Sequence, residues 1–444
     1  MNEPGELKPL SERGLFDTIV GCFRQVLSSL PDKRTGKNTR YGMEDAALSA
    51  FSVFFTQTPS FLSYQRMMQG SKGRNNAESL FGVHQIPTDN HIRDLLDPVN
   101  PAQVFPVFEE ILQTLEHQGK LKNFRSVATT LLVAMDGTEY FSSTQIHCPG
   151  CSTRQLKSGE THYFHSVVTP VIVCPGQAQV IPLVPEFIVP QDGHDKQDCE
   201  NAAAKRWLSQ HGKRYSALNV TVLGDDLYCH QPLCQQLLAE KLNFILVCRP
   251  ESHPTLYEHL EGIPLPTVTL KRWTGKVEET YTYRYLNGLP LRDSEDALLV
   301  NWSELTVSRP DGKVVYKNSF ATNHPITDHT VADIVLAGRT RWKVENENNN
   351  TLKTKGYNLE HNFGHGKQHL ASLLATLNIL SLLFHTLLEL LDQKYQMLRT
   401  HLPTRKTFFD DVRALTRYLY FESWDHLLTF MLQGLELEIP PNTS

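Results

Sequence analysis

Two aspartates stand where the chain leaves apolar, β-branched runs: Asp136 in LLVAMDGTEY and Asp225 in VTVLGDDLYC. Each run reads as a buried strand that ends in its acid. In open α/β sheets the carboxyl ends of the strands are where active sites form. A carboxylate buried there is costly without a cationic partner, and neither motif carries a Lys or Arg. A hard divalent cation, Mg²⁺ or Mn²⁺, is an economical partner, because it takes few protein carboxylates and leaves positions for water and phosphate. A third stretch, RTRWKVENENNNTLKTKGYN, sets Arg341 and Glu345 four residues apart, on one face of a helix. Trp342, Val344 and Leu352 give that helix a packed side, while Lys353 and Lys355 add charge suited to phosphates. Three acids with an Arg and a Lys fit two-metal phosphoryl transfer, in which basic side chains hold the flanking phosphates. Taken singly, each Asp is as well explained by a cap at a strand–loop junction, and Arg341–Glu345 by a surface ion pair.

A second constellation lies in HCPGCSTRQLKSGETHYFH, where Cys148 and Cys151 face His162 and His165 across a hairpin. These four residues fit a structural Zn²⁺ site. Residues 162 and 165 point to opposite faces of a regular strand, so both bind only through a bulge, or His147 replaces one of them. The plain alternative is a loop with two free cysteines. Cys22, Cys174, Cys199, Cys229, Cys234 and Cys248 show no ligand or nucleophile spacing and read as small hydrophobes. His361 and His365 lie four apart in HNFGH without an H-E-x-x-H, so they read as packing or DNA-contacting residues. No G-x-x-x-x-G-K-[ST] occurs, and no nucleotide cofactor is expected.

These groups need elements to position them. Residues 1–125 read as a helical domain, with apolar residues at helical spacing in LFDTIVGCFRQVLSSL, MEDAALSAFSVFFTQ and PAQVFPVFEEILQTLEHQG. Between them PDKRTGKNTRYG and QGSKGRNNAESLFG read as turn-rich connectors, and Thr88–Leu96 as a short helix capped by Thr88 or Asp89. From Ser126 the pattern becomes α/β, with strands in YFHSVVTPVIVC, QVIPLVPEFIV and FILVCR and helices in DKQDCENAAAKRWLSQHG and QPLCQQLLAEKL. Residues 254–321 read as an all-β insertion with turns NG, RDSED and RPDG, and residues 386–444 as a helical C-terminal segment. The run from His369 to Leu391 is long enough to span a bilayer, but Asn378, His385 and Glu389 interrupt it. It reads as a core helix, and no membrane association is expected.

The 444 residues carry 43 Lys+Arg and 48 Asp+Glu, a net charge of −5, with 40% hydrophobic and 20% charged. That composition excludes a mainly disordered chain, a collagen-like repeat and a long coiled coil. Eight cysteines are too few for a disulfide scaffold. The start shows no basic region followed by an apolar stretch, so a cytoplasmic protein with reduced thiols is expected. The mild acidity excludes a uniformly basic nucleic-acid binder. Locally the balance differs: residues 339–367 hold six Lys+Arg against three Glu. Lys33, Arg34, Lys37 and Arg40 cluster in one connector, which alone reads as a solvated loop.

The order of a strand with DG, a strand with D-x-x-Y, a β-rich insertion and then R-W-x-V-E resembles the DDE transposases of bacterial insertion sequences. It is most similar to their branch with a β insertion and a Tyr-Arg-Glu-Lys signature. GRTRWKVENENNNTLKTKGYNLEHNFGHG is the most specific block, LVPEFIVPQDGHDKQDCENAAAKRWL resembles a subgroup, and the likeness spans roughly residues 30–385. The resemblance implies an RNase H-like catalytic domain over residues 126–385, whose metal-binding triad is Asp136, Asp225 and Glu345. Arg341 matches the signature Arg and Lys353 approximates its Lys, one position late; the signature Tyr falls on Gly338. Glu347 rivals Glu345 and Asp226 rivals Asp225, although Tyr228 completes D-x-x-Y from Asp225. The implied activity is cut-and-paste transposition of an insertion sequence. Its partners are double-stranded DNA, both terminal inverted repeats and target, bound by a dimer. Residues 1–125 would recognise the ends, with Lys33, Arg34, Lys37, Arg40, Arg339 and Lys355 on the backbone. Two other readings stay open: an RNase H-like nuclease without strand transfer, and an inactive DNA-binding descendant of a transposase.

Overall fold

Val, Leu and Ile in uninterrupted runs make strands with both faces covered, and residues 131–134 and 220–224 are buried throughout. The computed structural model describes residues 14–35, 40–68, 71–190 and 199–440. Its strands are β1 (Leu131–Ala134), β2 (Gly137–Ser143), β3 (Ser152–Gln155), β4 (Thr161–Val168), β5 (Val171–Val173), β6 (Ile181–Pro182), β7 (Glu186–Ile188), β8 (Val220–Gly224), β9 (Asn243–Val247), β10 (Thr267–Trp273), β11 (Glu278–Pro290), β12 (Leu299–Ser308) and β13 (Val314–Thr322). Nine of them form one mixed sheet in the order β10-β11-β12-β13-β9-β8-β1-β5-β6. β8 is parallel to β1 on one side and to β9 on the other. The remaining pairs in that sheet are antiparallel. The chain is thus mixed α/β.

Two compact units divide the chain, one of residues 121–138 and 167–348, the other of residues 1–120, 139–166 and 349–444. These divisions differ from the expected boundaries at 125/126 and 385/386, because packing gathers segments that are distant in sequence. Residues 254–321, expected as an all-β insertion, open on a helix and then hold four strands. After a short helix, Pro254–Glu258, β10–β13 continue the large sheet, with β13 hydrogen-bonded along β9 from Phe320↔Val247 to Thr322↔Ile245. The four strands cover an edge that β9 would otherwise leave unpaired. Helix Val331–Arg339 packs on this sheet, its Ile334 and Val335 buried with Ile245, Leu305 and Phe320.

In the other unit, Thr88 does cap helix Asp89–Leu96, accepting a hydrogen bond from the His91 N–H at 3.4 Å. The connector expected around residues 70–82 is instead helical over Ser71–Phe81. Its sequence is a poor helix former, and tertiary bonds hold it: buried Asn76 donates to the carbonyls of Thr416 and Leu419, both at 2.7 Å, and accepts from the Phe421 N–H.

Helix Leu370–Leu391 is apolar and long enough to cross a membrane, yet it is a core helix here, buried over nearly its whole length. Phe384 lies against Phe51 of helix Met43–Phe55, ring centroids 4.8 Å apart. Its polar interruptions find partners inside the protein, although Asn378 Oδ1 and His385 Nε2 make no hydrogen bond. Asn378 Nδ2 donates to the Tyr357 carbonyl at 2.8 Å, and the Tyr357 hydroxyl meets His385 Nδ1 at 2.6 Å. Arg405 donates to Tyr357 Oη at 2.5 Å and to Glu389 at 3.0 Å. Burial pushes His385 well below its ordinary range, which favours a neutral ring whose Nδ1 accepts the hydrogen bond of the Tyr357 hydroxyl. Removing one member of such a set strands the others. Arg405→Ala should cost about 3 kcal/mol of stability by urea unfolding, and Arg405→Met with Glu389→Leu should recover most of that loss; equal losses in both variants would refute this account.

Candidate active site

The parallel pairing of β1 and β8 sets Ala134 opposite Leu223, and the Met135 N–H continues the ladder to the Leu223 carbonyl at 2.9 Å. Asp136 and Asp225 therefore leave the same edge of the sheet from adjacent strands. The Asp136 backbone is fixed by Thr169, whose N–H donates to its carbonyl at 2.9 Å. Arg341 comes from the turn after helix Val331–Arg339 and bridges toward two acids. Its Nη2 lies 2.6 Å from Glu345 and its Nη1 4.0 Å from Asp136. That Nη1 is buried without a hydrogen-bond partner. Val344–Asn349 winds as a π-helix, a wide turn found often at functional sites.

A fourth acid had no signal in the sequence. Glu200, in the first turn of helix Glu200–Ala217, accepts from the Gly137 N–H at 2.9 Å and from the Tyr228 hydroxyl at 2.6 Å. Gly137 matters because a side chain there would occupy the space of the Glu200 carboxylate. Gly224 likewise leaves room for Tyr228, since a Cβ at that strand end would sit 2.9 Å from the tyrosine Cβ. Tyr228 is fully buried and completes D-x-x-Y with Asp225. The only hint to Glu200 lay in its block, LVPEFIVPQDGHDKQDCENAAAKRWL, which carried no strand-end signal.

The electrostatics follow from crowding. Burial, then Glu200 and Glu345, push the Asp136 carboxyl up to about 7; Arg341 pulls it down and Asp225 raises it further. Burial also raises Glu200, opposed by the Tyr228 hydrogen bond. Four carboxylates thus face one guanidinium. They do not form a closed cage, since among the described residues no three of them bring an oxygen each within 4.8 Å of one another. That spread suits Mg²⁺ or Mn²⁺ ions that keep waters and substrate oxygens as ligands.

The rival acids face elsewhere. Asp226 accepts from the Arg249 N–H at 2.7 Å and from the Ser252 hydroxyl, with His253 3.5 Å away. Glu347 acts on Lys343, not on Asp136. Lys343 is buried and donates to the Gln177 carbonyl, whereas Trp342, expected to pack, is 45% exposed. Gly338, the position at which the resemblance would put a Tyr, has no room for a side chain: a Cβ there would lie 2.8 Å from Phe320 and 2.9 Å from Ile245. The position is core, and Tyr228 is the aromatic residue at the acids.

Lys353 lies in helix Asn350–Thr354 and pairs with Glu360 at 2.8 Å. Arg339 stacks its guanidinium over Tyr316, 4.4 Å from the ring centroid, and Lys355 is exposed. In the basic connector, Lys33 and Arg40 are exposed, while Arg34 forks onto Asp32 at 2.8 and 2.6 Å. Lys37 lies outside the described residues.

The structure changes the Cys/His set. Cys148, Cys151 and His165 meet, but the fourth member is His365 in place of His162. His162 instead accepts from Arg154 Nε at 3.0 Å, on the other side of β4, as the two-residue period of a strand requires. His147 stacks on Tyr163 and does not substitute. His361 packs edge-on against Phe363. A second group of Cys229, Cys248 and His253 lies buried near Asp226.

Compared with models of known protein families and with curated protein sequences, the chain matches none.

A carboxyl held above its unfolded range binds its proton more tightly in the folded chain, so its contribution to stability falls as pH rises from about 4 to about 7 and is flat above. Without added divalent cations, Asp136→Asn should therefore raise Tm at pH 8 by a few degrees and leave it unchanged at pH 4. An unchanged Tm at pH 8 would contradict the crowding of acids. Gly338→Tyr should cost about 3 kcal/mol or more in urea unfolding by overpacking the sheet–helix interface; a stable variant would show that this position is not core.

Proposed function

We propose that the chain is a DDE transposase that excises and inserts its own insertion sequence in DNA. The observation that carries this reading is the meeting of Asp136 and Asp225 at adjacent parallel strand ends, with Glu345 and Arg341 beside them. The strands β6-β5-β1-β8-β9 support the RNase H-like part of the reading, as an antiparallel trio extended by two strands parallel to β1.

The donor set fits hard cations: an excess of carboxylate oxygens, one of them on a carboxyl held near 7, and no thiol or imidazole among them. Asp136, Asp225 and Glu345 would hold two Mg²⁺ or Mn²⁺ ions, which when bound supply an activated water or 3′-hydroxyl and a stabilised leaving oxygen. The protein's own groups prepare that chemistry. Tyr228 and the Gly137 N–H orient Glu200, which keeps the negative field on Asp136. Arg341 Nη1 makes no hydrogen bond, and on DNA the guanidinium would exchange Glu345 for a phosphate oxygen. Lys353, Lys355, Lys33 and Arg40, in the other unit, would supply backbone contacts of their own, which do not read sequence. Arg339 and Arg34 would join only by giving up Tyr316 and Asp32. A dimer on DNA and a cytoplasmic, nucleoid-associated location go with this reading.

The test uses purified full-length chain, Mg²⁺ and DNA carrying the sequences that flank its reading frame. Cleavage at the element ends and joining of pre-cleaved 3′ ends to a second duplex are expected. Asp136→Ala and Asp225→Ala should each lower both steps by at least 10³-fold, on the order of removing a group that stabilises transition-state charge. Arg341→Ala should lower them by roughly 10²-fold. Cleavage without joining would favour a plain nuclease; binding without either would favour an inactive descendant; cleavage unchanged in Asp136→Ala would overturn the assignment.

A further inference from the structure

We infer that Cys148, Cys151, His165 and His365 form a structural Zn²⁺ site that clamps the 139–166 hairpin to the loop preceding helix Leu370–Leu391. The argument is geometric. A tetrahedral zinc with bonds of about 2.3 Å to sulfur and 2.0–2.1 Å to nitrogen requires ligand separations of about 3.8 Å between sulfurs and about 3.5 Å between sulfur and nitrogen. Here the Cys148 and Cys151 Sγ atoms are 3.9 Å apart. His165 Nε2 lies 3.5 Å from Cys148 Sγ and 3.4 Å from Cys151 Sγ, and His365 Nε2 lies 3.5 Å from Cys151 Sγ. All four ligand atoms fall within 4.8 Å of one another. Hydrogen bonds alone explain this poorly, since four weak donors and acceptors converge on one point with no shared axis. A single ion at the centre satisfies all of them.

The surroundings suit a ligand cage. The C-x-x-C turn is closed by the Cys151 N–H on the Cys148 carbonyl at 3.1 Å, and the Cys148 N–H points to Cys151 Sγ at 3.4 Å. The His165 ring is held by a hydrogen bond with the Gly150 backbone and stacks on Tyr140. His365 lies against Phe141, ring centroids 4.3 Å apart. Partners that orient the ligating rings are the usual support of such a site. Two thiolates and two imidazoles select zinc over magnesium, and four protein ligands leave no open position, so the site is structural. Its placement gives it a task. Cys148 follows Asp136 on the segment leaving β1, and His365 follows Glu345 on the segment leaving the π turn. The ion would tie together the two stretches of chain that depart from two of the acids.

Full-length protein purified without added metal should contain one Zn²⁺ per chain by elemental analysis. Cys148→Ser with Cys151→Ser should contain none, and His365→Ala should lower the zinc affinity at least tenfold, in line with loss of a ligand or its support. His162→Ala should keep the full content. If the double cysteine variant fails to fold, two measurements decide instead. Co²⁺ exchanged into the wild type should give the visible spectrum of a tetrahedral two-sulfur site, and His365→Cys should keep the metal while shifting that spectrum toward three sulfurs. Zinc lost from His162→Ala but retained by His365→Ala would overturn the assignment, as would folded wild type that neither holds zinc nor takes up Co²⁺ in a tetrahedral site. None of these readouts involves DNA, so they stand or fall apart from the transposase reading.

Discussion

The parallel pairing of β1 with β8 is the constraint on which the acidic site depends. Both strands are buried on both faces, and a slip of one residue would turn every side chain to the opposite face. Register is therefore strongly specified, and with it the placement of Asp136 beside Asp225. The glycines that follow and precede these acids are part of the same constraint. Gly137 admits the Glu200 carboxylate and Gly224 admits Tyr228, so the strand ends are shaped to concentrate carboxylates, with a tyrosine holding one of them in place. Like charges held this close raise the energy of the ionised site, most visibly at Asp136. The fold bears that cost because the sheet core supplies stability elsewhere.

The strand-end acids were legible because their signal is local: an apolar run, its length and the acid that ends it lie within a dozen residues. The choice between Asp225 and Asp226, and between Glu345 and Glu347, was left open by the sequence and leaned on the resemblance; in the structure Asp226 is engaged by Arg249 and Ser252. What escaped was non-local. Glu200 stands in the first turn of a helix, where an acid is ordinarily explained by the helix dipole. His365 reaches the cysteines from a loop some 200 residues away in sequence, and only the period of β4 warned that His162 could not. Strands β10–β13 were recognisable as strands, but which edge they pair with is decided by β9, not by their own residues. Helix Ser71–Phe81 has a weak local preference that buried Asn76 overrides.

Beside the π turn at Val344–Asn349 lies a different kind of failure. A 3.6-residue wheel correctly placed Arg341 and Glu345 together, because their separation spans the entry to the turn. It misplaced Trp342, which is exposed, while its neighbour Lys343 is buried. A widened turn costs backbone geometry that a regular helix would not, and such turns recur where a side chain must be aimed. Here the side chain so aimed is Glu345, whose ion pair with Arg341 brings the guanidinium toward Asp136.

Two buried polar clusters in this chain obey the same physics with opposite outcomes. Around helix Leu370–Leu391, Arg405, Tyr357, His385 and Glu389 form one connected chain of bonds in which the carboxylate faces a guanidinium, although His385 Nε2 has no hydrogen-bond partner. At the end of β1 the acids outnumber their cation, one arginine nitrogen has no partner, and a carboxyl is driven toward neutrality. A cluster kept for stability alone would evolve toward the first arrangement, since an unpaired charge is a standing cost. On the proposed reading the missing positive charge arrives with the bound metal ions. Surplus carboxylate, more than the mere presence of aspartates at strand ends, is the feature that favours that reading over a set of structural caps.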